Sequence, residues 1–261
     1  MGVSIFLNTQ ALLAVIRKNL LVYTILRRLA YFFCKFVYLE RGFSFLKTVK
    51  FHSGAVAIDI GSNDGTSVQM IRKAQPRSPI ISFDPIKSVN RKFENHTYFN
   101  LGLSSQIGRR VFYIPKVRRF ELTQYACFER EVAARLLSKD FGIKESEVSF
   151  RLIESQTTTL DSLKLKPYFI KIDVEGHELQ VLKGSKETIQ KYRPILLVEI
   201  QNLQCYQLIE AYLAQLNYKI YERPKRFSNR GSSLQSQSYQ SSQVNYTWIS
   251  EEKSWTWSFK D

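Results

Sequence analysis

Cysteine, histidine and long apolar runs are all scarce in this chain of 261 residues, and each scarcity removes a class of function. The three cysteines, Cys34, Cys127 and Cys205, lie far apart and form no CxxC pair, so neither a disulfide framework nor a zinc site is expected. They read as reduced thiols of a cytoplasmic protein. His52, His96 and His177 make no HExxH or similar spacing, and no transition-metal centre is expected. The apolar runs Ala11 to Ile16, Leu20 to Leu26 and Leu29 to Cys34 are cut by Arg17-Lys18 and Arg27-Arg28. Each falls short of the ~20 residues a spanning helix needs. No basic n-region precedes the first run and no small-residue cleavage site follows it, so no secretory signal is expected. The sequons at Asn95 and Asn245 are accordingly read as chance, and Phe6 stands where myristoylation expects Ser or Thr. A GxxxxGK[ST] loop for nucleoside triphosphates is also missing, as is any internal repeat.

What is present is an ordinary globular composition, 44% hydrophobic and 23% charged, with a net charge of +15. Length favours one main domain. The charge makes an anionic partner plausible, and its distribution is uneven. Up to Ser53 the bases Arg17, Lys18, Arg27, Arg28, Lys35, Arg41, Lys47 and Lys50 face a single acid, Glu40. Residues 1–53 therefore read as a basic, amphipathic helical extension. It is expected to serve as a cap on the main domain, as an interfacial element on anionic lipid, or as both, the second placing the protein peripherally on the cytoplasmic membrane face.

Residues 54–261 form the second unit, where short apolar runs alternate with helical stretches, the signature of strand-helix repeats and a parallel sheet. Strands are expected at Ala55 to Ile60, Ile80 to Phe83, Thr97 to Leu101, Arg109 to Ile114, Val148 to Thr158, Tyr168 to Asp173 and Ile195 to Glu199. Helices are expected at Thr66 to Ala74, Glu129 to Lys139, His177 to Lys191 and Leu203 to Leu216. Two last strands, Tyr218 to Tyr221 and Tyr246 to Ser250, flank a polar loop, 223–243, too long for an ordinary hairpin; it is either disordered or a cover over the site.

The first strand ends in Asp59-Ile60-Gly61-Ser62-Asn63-Asp64-Gly65 and runs into a helix. That arrangement puts backbone amides and a positive helix end at the carboxyl edge of the sheet, with glycines that let a ligand lie against the backbone. Asp84, at the end of the next strand, is placed to accept ribose hydroxyl protons. Asn63 stands where a dinucleotide loop has its second glycine, so the GxGxxG pattern is not met. Asp59, Gly61, Ser62, Asn63, Gly65 and Asp84 are the candidate cofactor-binding residues; the bland alternative is that Gly61 and Gly65 only make a tight turn.

Downstream, Tyr168-Phe169-Ile170-Lys171-Ile172-Asp173-Val174-Glu175-Gly176-His177-Glu178 sets charges at the end of an apolar strand. Alternation puts Phe169, Lys171 and Asp173 on one face, and Lys171 can neutralise Asp173 or Glu199. Together with Ile58 to Gly65, Phe83-Asp84-Pro85, Thr159-Leu160-Asp161, Val181-Leu182-Lys183-Gly184 and Pro194 to Glu199, this run resembles the FkbM-type methyltransferase family. The resemblance spans about Ala55 to Glu199 and departs from the usual pattern at Ser62 and Asp84, both mild changes.

The resemblance implies a class I, Rossmann-like methyltransferase fold. This is a doubly wound α/β sheet, mostly parallel with a C-terminal antiparallel strand, here carrying the N-terminal extension. It also implies S-adenosyl-L-methionine as cofactor and O-methylation of a sugar, glycan, glycolipid or natural-product acceptor. An aliphatic hydroxyl needs a base or a metal, and Asp173, Glu175 and His177 are the candidates for the site. For His177 and Glu178 the alternative role is to open a helix. Two other functions compete. Nucleic-acid methylation is favoured by charge but disfavoured because the strand ends Asp173-Val174-Glu175-Gly176 and the bases gather in a Leu-rich segment. A non-catalytic membrane scaffold on the same fold is disfavoured by the intact Asp59, Gly61, Gly65 and Asp84.

Overall fold

The computed structural model describes residues 22, 43, 45–49, 51–86, 93–222 and 244–250. The polar loop 223–243 and most of the extension lie outside the described residues. Among the described residues no helix is long and apolar enough to cross a membrane.

Seven strands form one sheet. In chain order they are β1 (Val56–Ile60), β2 (Ile80–Phe83), β3 (His96–Phe99), β8 (Pro167–Ile172), β9 (Ile195–Ile200), β10 (Tyr218–Glu222) and β11 (Val244–Ser250). In space they run β10-β11-β9-β8-β1-β2-β3. All pairings are parallel except those of β11, which is antiparallel to both β9 and β10. Strands β1, β8 and β9 are apolar runs because helices and loops cover both faces. Alternation sorts them. Ile58, Ile170, Leu196 and Val198 pack on one face with Val181, Leu182, Ile209 and Leu213. Ala57, Phe169, Ile195 and Leu197 pack on the other with Val68, Met70 and Ile71 of helix α1 (Thr66–Ala74).

Phe43, Leu46 and Val49, from the end of the extension, join that second cluster, where Gln75 Nε2 donates to the Leu46 and Val49 carbonyls. This stretch belongs to the core of the sheet. The far end of α1 is tied down by Arg72, whose guanidinium donates to the carbonyls of Pro76, Ser78, Glu94 and Asn95.

The remaining strands make a second, four-stranded sheet between β3 and β8 in the chain. They are β4 (Gly102–Leu103), β5 (Gly108–Val117), β6 (Phe120–Glu121) and β7 (Val148–Thr158), in the order β4-β7-β5-β6. The long β5–β7 ladder is antiparallel and unbroken from Gly108 opposite Thr157 to Val117 opposite Val148. Helix α2 (Arg130–Phe141) covers part of it, and Leu136 and Leu137 share a small separate core with Val117, Leu122, Tyr125 and Val148.

The single helix expected from His177 to Lys191 is two: α3 (Glu178–Lys183) and α4 (Lys186–Tyr192). A Cβ on Gly184 would stand 1.9 Å from the Ser104 carbonyl oxygen, so the backbone of the β4 turn occupies the helix surface there. Chain contact, not propensity, breaks the helix. The last helix, α5 (Leu203–Ala214), opens on Asn202, whose side chain accepts from the Cys205 N–H at 2.9 Å.

Candidate active site

Strand order reverses at β1, with β2 and β3 on one side and β8 and β9 on the other, so a crevice opens at the carboxyl ends of these strands. A cavity of about 340 Å³ lies there. Its sheet-side wall is the loop after β1, Asp84 to Ile86 after β2, Lys171 and Asp173 to Glu175 at the end of β8, and Glu199 of β9. The facing wall comes from the inserted unit: Phe112, Thr123 to Ala126, and Phe128. Phe43 also reaches it.

Gly61 and Gly65 both sit at φ 80°, and Asn63 between them at φ 40°. The reason for glycine differs from the sequence expectation. A Cβ at Gly61 would stand 1.7 Å from the Asp173 carbonyl oxygen, and one at Gly65 would stand 3.2 Å from the Phe93 ring. The close approach that these glycines permit is by the chain itself. The loop is pinned to β2 by the Gly61 N–H on the Phe83 carbonyl (2.9 Å) and the Asn63 N–H on Asp84 Oδ2 (2.8 Å). Asp84 Oδ1 accepts from the Ile86 N–H at 2.8 Å. Burial pushes the Asp84 carboxyl up to about 6 against these two hydrogen bonds. Each oxygen keeps a further lone pair, on a residue that lines the cavity.

Asp59 is fully buried and does not line the cavity. Ser67, the second residue of α1, donates to its Oδ2 at 2.5 Å, and Lys171 Nζ stands 3.6 Å from Oδ1. The same ammonium reaches Asp173 Oδ2 at 2.9 Å and the Gly61 carbonyl at 3.2 Å. Burial works against the Lys171 charge, but Asp173 and Asp59 outweigh it and hold its pKa above the ordinary lysine value. Lys171 is thus the tie between the first strand, the loop and the acidic turn.

In that turn Glu175 (φ 54°) and Gly176 (φ 98°) are both left-handed. Glu178 Oε1 clamps them by accepting from the Val174 and Gly176 N–H groups, at 3.1 and 3.0 Å. Burial pushes Glu178 up to about 7. Gln201, just beyond β9, donates to Glu175 Oε2 at 2.8 Å. Carboxylate oxygens of Asp173, Glu175 and Glu199 all lie within 4.8 Å of one another. Burial, then the neighbouring Asp173 and Glu178, hold Glu175 well above the usual carboxylate range. Glu175 therefore holds a proton more readily than an ordinary carboxylate.

His177 stands apart from the cavity wall. Its Nε2 is 2.9 Å from Ser104 Oγ, and its ring lies tilted against Phe128, with centroids 4.3 Å apart. Burial, helped by Arg110, lowers it to about 4, so it is neutral at physiological pH.

Residues 59–220 match the methyltransferase FkbM domain, well over half of the chain. The chain belongs to the FkbM methyltransferase family. Among solved structures it resembles the methyltransferase FkbM from Methylobacillus flagellatus KT at 15% identity and a TM-score of 0.47. The likeness covers 83% of this chain and 47% of that one, so the chain spans about half the length of its solved relative. No curated protein matches.

Within this FkbM domain the structure brings Gly61, Ser62, Asn63, Asp84, Asp173 and Glu175 to one cavity. It places Asp59, Gly65 and His177 in supporting positions around it. Glu199, which the sequence offers as a partner for Lys171, also lines the cavity. Sequence reasoning missed Ser67, Gln201 and the whole facing wall. Ser67 had a signal, since a residue in the first turn of the helix lies back towards the strand that feeds it. The facing wall had none, because Thr123 to Ala126 and Phe128 come from irregular chain between β6 and α2, and Phe112 comes from a strand, β5, of the separate sheet.

Proposed function

We infer that this FkbM-family chain binds S-adenosyl-L-methionine and transfers its methyl group to a hydroxyl of a sugar, glycan, glycolipid or natural product. The observation that carries the reading is the meeting, in one cavity, of Asp84 with the Gly61–Asn63 loop on one side and Asp173, Glu175 and Glu199 on the other. A volume of about 340 Å³ falls within the range of small-molecule sites.

Asp84 fits a ribose: its carboxylate is buried, already oriented by two backbone N–H groups, and has lone pairs left for hydroxyl protons. The bound cofactor supplies an electrophilic methyl on a sulfonium, and a carboxylate-lined wall suits that positive charge. Methyl transfer is an in-line displacement, so the residues must align the acceptor oxygen and take its proton. Asp173 is occupied by Lys171, whereas Glu175, with its raised pKa, is the better general base. Gln201 and Glu178 hold it in place. Phe112 and Phe128, with ring centroids 4.1 Å apart, offer the acceptor an apolar surface opposite the carboxylates. His177, low in pKa and bound to Ser104, supports Phe128.

Calorimetry with S-adenosyl-L-methionine, followed by labelled methyl transfer to glycan, lipid and metabolite extracts, tests this. Absence of cofactor binding would falsify the reading, and transfer to RNA in place of glycans would replace the acceptor class. The basic extension supports a peripheral contact with anionic membrane. Because Phe43, Leu46 and Val49 are committed to the core, the lipid-facing part would lie upstream of them. Co-sedimentation with phosphatidylserine vesicles, lost at high salt, is the expected result.

A further inference from the structure

The inserted sheet carries a long open edge. Beyond β7 in the sheet order lies only β4, and it pairs with Thr157 and Thr158 alone. From Ser149 to Gln156, among the described residues, nothing pairs with the outer side of β7. Edges in natural sheets are blunted by lysine, proline, bulges or covering chain. Ser149-Phe150-Arg151-Leu152-Ile153-Glu154-Ser155-Gln156 has no lysine and no proline, and its ladder with β5 has no bulge. At its centre Leu152 is 59% exposed.

The inner ladder fixes which groups face outward. Residues opposed in an antiparallel pair either exchange both hydrogen bonds or turn both groups away from each other. Tyr113, opposite Leu152, gives its N–H and C=O to Cys127 on the far side of β5, at 2.9 and 3.3 Å. The Tyr113–Leu152 pair is therefore of the second kind, and Leu152 turns its N–H and C=O to the open edge. Pro115, opposite Phe150, likewise turns its carbonyl to the Leu122 N–H. Thr158, on the even-numbered register, gives its carbonyl to the Ser104 N–H on the outer side. Phe150, Leu152 and Glu154 thus all turn backbone groups outward that meet no partner among the described residues.

We propose that β7 is the interface for a second copy of this chain, joined antiparallel, edge to edge, about a two-fold axis at Leu152. An axis perpendicular to the sheet maps each face onto itself, so only residues of like parity can oppose one another, and the outward groups are all on even-numbered residues. Centring on Leu152 satisfies both conditions. Leu152 then meets Leu152 of the partner subunit, and Phe150 meets Glu154 of the partner subunit. The charges agree: Arg130 sits over the Phe150 ring at 5.1 Å, beside the position of Glu154 of the partner subunit. Among the described residues neither Arg130 nor Glu154 is in an ion pair. The union covers the exposed leucine, joins the two inserted sheets into one, and steadies the unit that forms the facing wall of the cavity.

The test uses the full chain. Sedimentation velocity should show a dimer at about 100 µM that dissociates on dilution, as expected of a small interface. Leu152→Lys should weaken it by roughly tenfold or more, since a charge replaces the central apolar contact. Arg130→Glu and Glu154→Arg should each weaken it, and the double reversal should restore it. The register has its own readout. Leu152→Cys should cross-link to itself under mild oxidation, because directly opposed hydrogen-bonded residues have Cα atoms about 5.5 Å apart, within disulfide range. Ile153→Cys, on the other face and opposed to Arg151, should not. A monomer at the highest concentration, a dimer indifferent to Leu152→Lys, or equal cross-linking at Ile153→Cys would each overturn the proposal.

Discussion

The parallel sheet and the inserted antiparallel sheet face each other across one cavity but are built on opposite terms. In the parallel sheet both faces are covered, charges are sealed in, and glycines press on backbone: Lys171 is 3% exposed between Asp59 and Asp173, and Gly61 has no room for a methyl group. In the inserted sheet many strand residues are exposed, the Arg151–Glu121 pair lies in solvent, and a Cβ at Gly108 would meet nothing within 4 Å. One half is a frame with little tolerance. The other is an adjustable wall.

The sharpest way to break this contrast is to add one methyl group on each side. Gly61→Ala should leave little or no folded protein, at a cost above about 4 kcal/mol, since the clash is with backbone and φ is positive. Gly108→Ala should melt within a degree or two of wild type, roughly the scale of an ordinary surface change. Circular dichroism melts of the pair decide it.

Charge removal is the next largest effect. Lys171→Met leaves the buried Asp59 and the partly exposed Asp173 without their cation and should cost about 3–5 kcal/mol in urea unfolding. Arg151→Ala should cost under about 1 kcal/mol, because its pair is exposed and screened. Equal losses would erase the distinction.

The pH dependence of stability should also come from the parallel half. Glu178 is raised to about 7 and Asp84 to about 6, both by burial. Between the ordinary carboxylate range and those values the folded state holds protons that the unfolded chain has released, so stability is greatest on the acid side of this window. It should fall as the pH rises towards 7, by about 3 kcal/mol for Glu178 alone. Glu178→Gln should flatten that slope in unfolding curves taken from pH 5 to 8.

The smallest effect sharpens the division of labour. Phe128→Ala should raise the acceptor KM by roughly tenfold through lost apolar contact, while the dissociation constant for S-adenosyl-L-methionine changes by less than about twofold. A comparable loss of cofactor binding would mean that the inserted wall serves both ligands.

Much of the parallel half was legible because its rules are local. β-branched runs ending in Asp59-Ile60-Gly61 and Ile172-Asp173 give strands, and turn residues after them mark the carboxyl edge. The inserted half was less so. Val148 to Thr158 was readable as a strand, but its partner lies some forty residues earlier in the chain, and period-2 alternation does not say which strand pairs with which. The roles of single residues were harder still. Asp59 reads as a ligand-binding acid but is consumed by Ser67 and Lys171, and His177 reads as a base but is engaged by Ser104.

By itself, the sequence determined the family, the order of strands and helices, and the set of acids that gather at the sheet edge, because these follow from short-range pattern and spacing. The tertiary structure alone decided which of those acids reach the cavity, why Gly61 and Gly184 must be glycine, where the helix after β8 breaks, and that a separate sheet supplies the facing wall. Each of these depends on backbone from a distant part of the chain arriving within a few ångströms, and no local pattern records that approach.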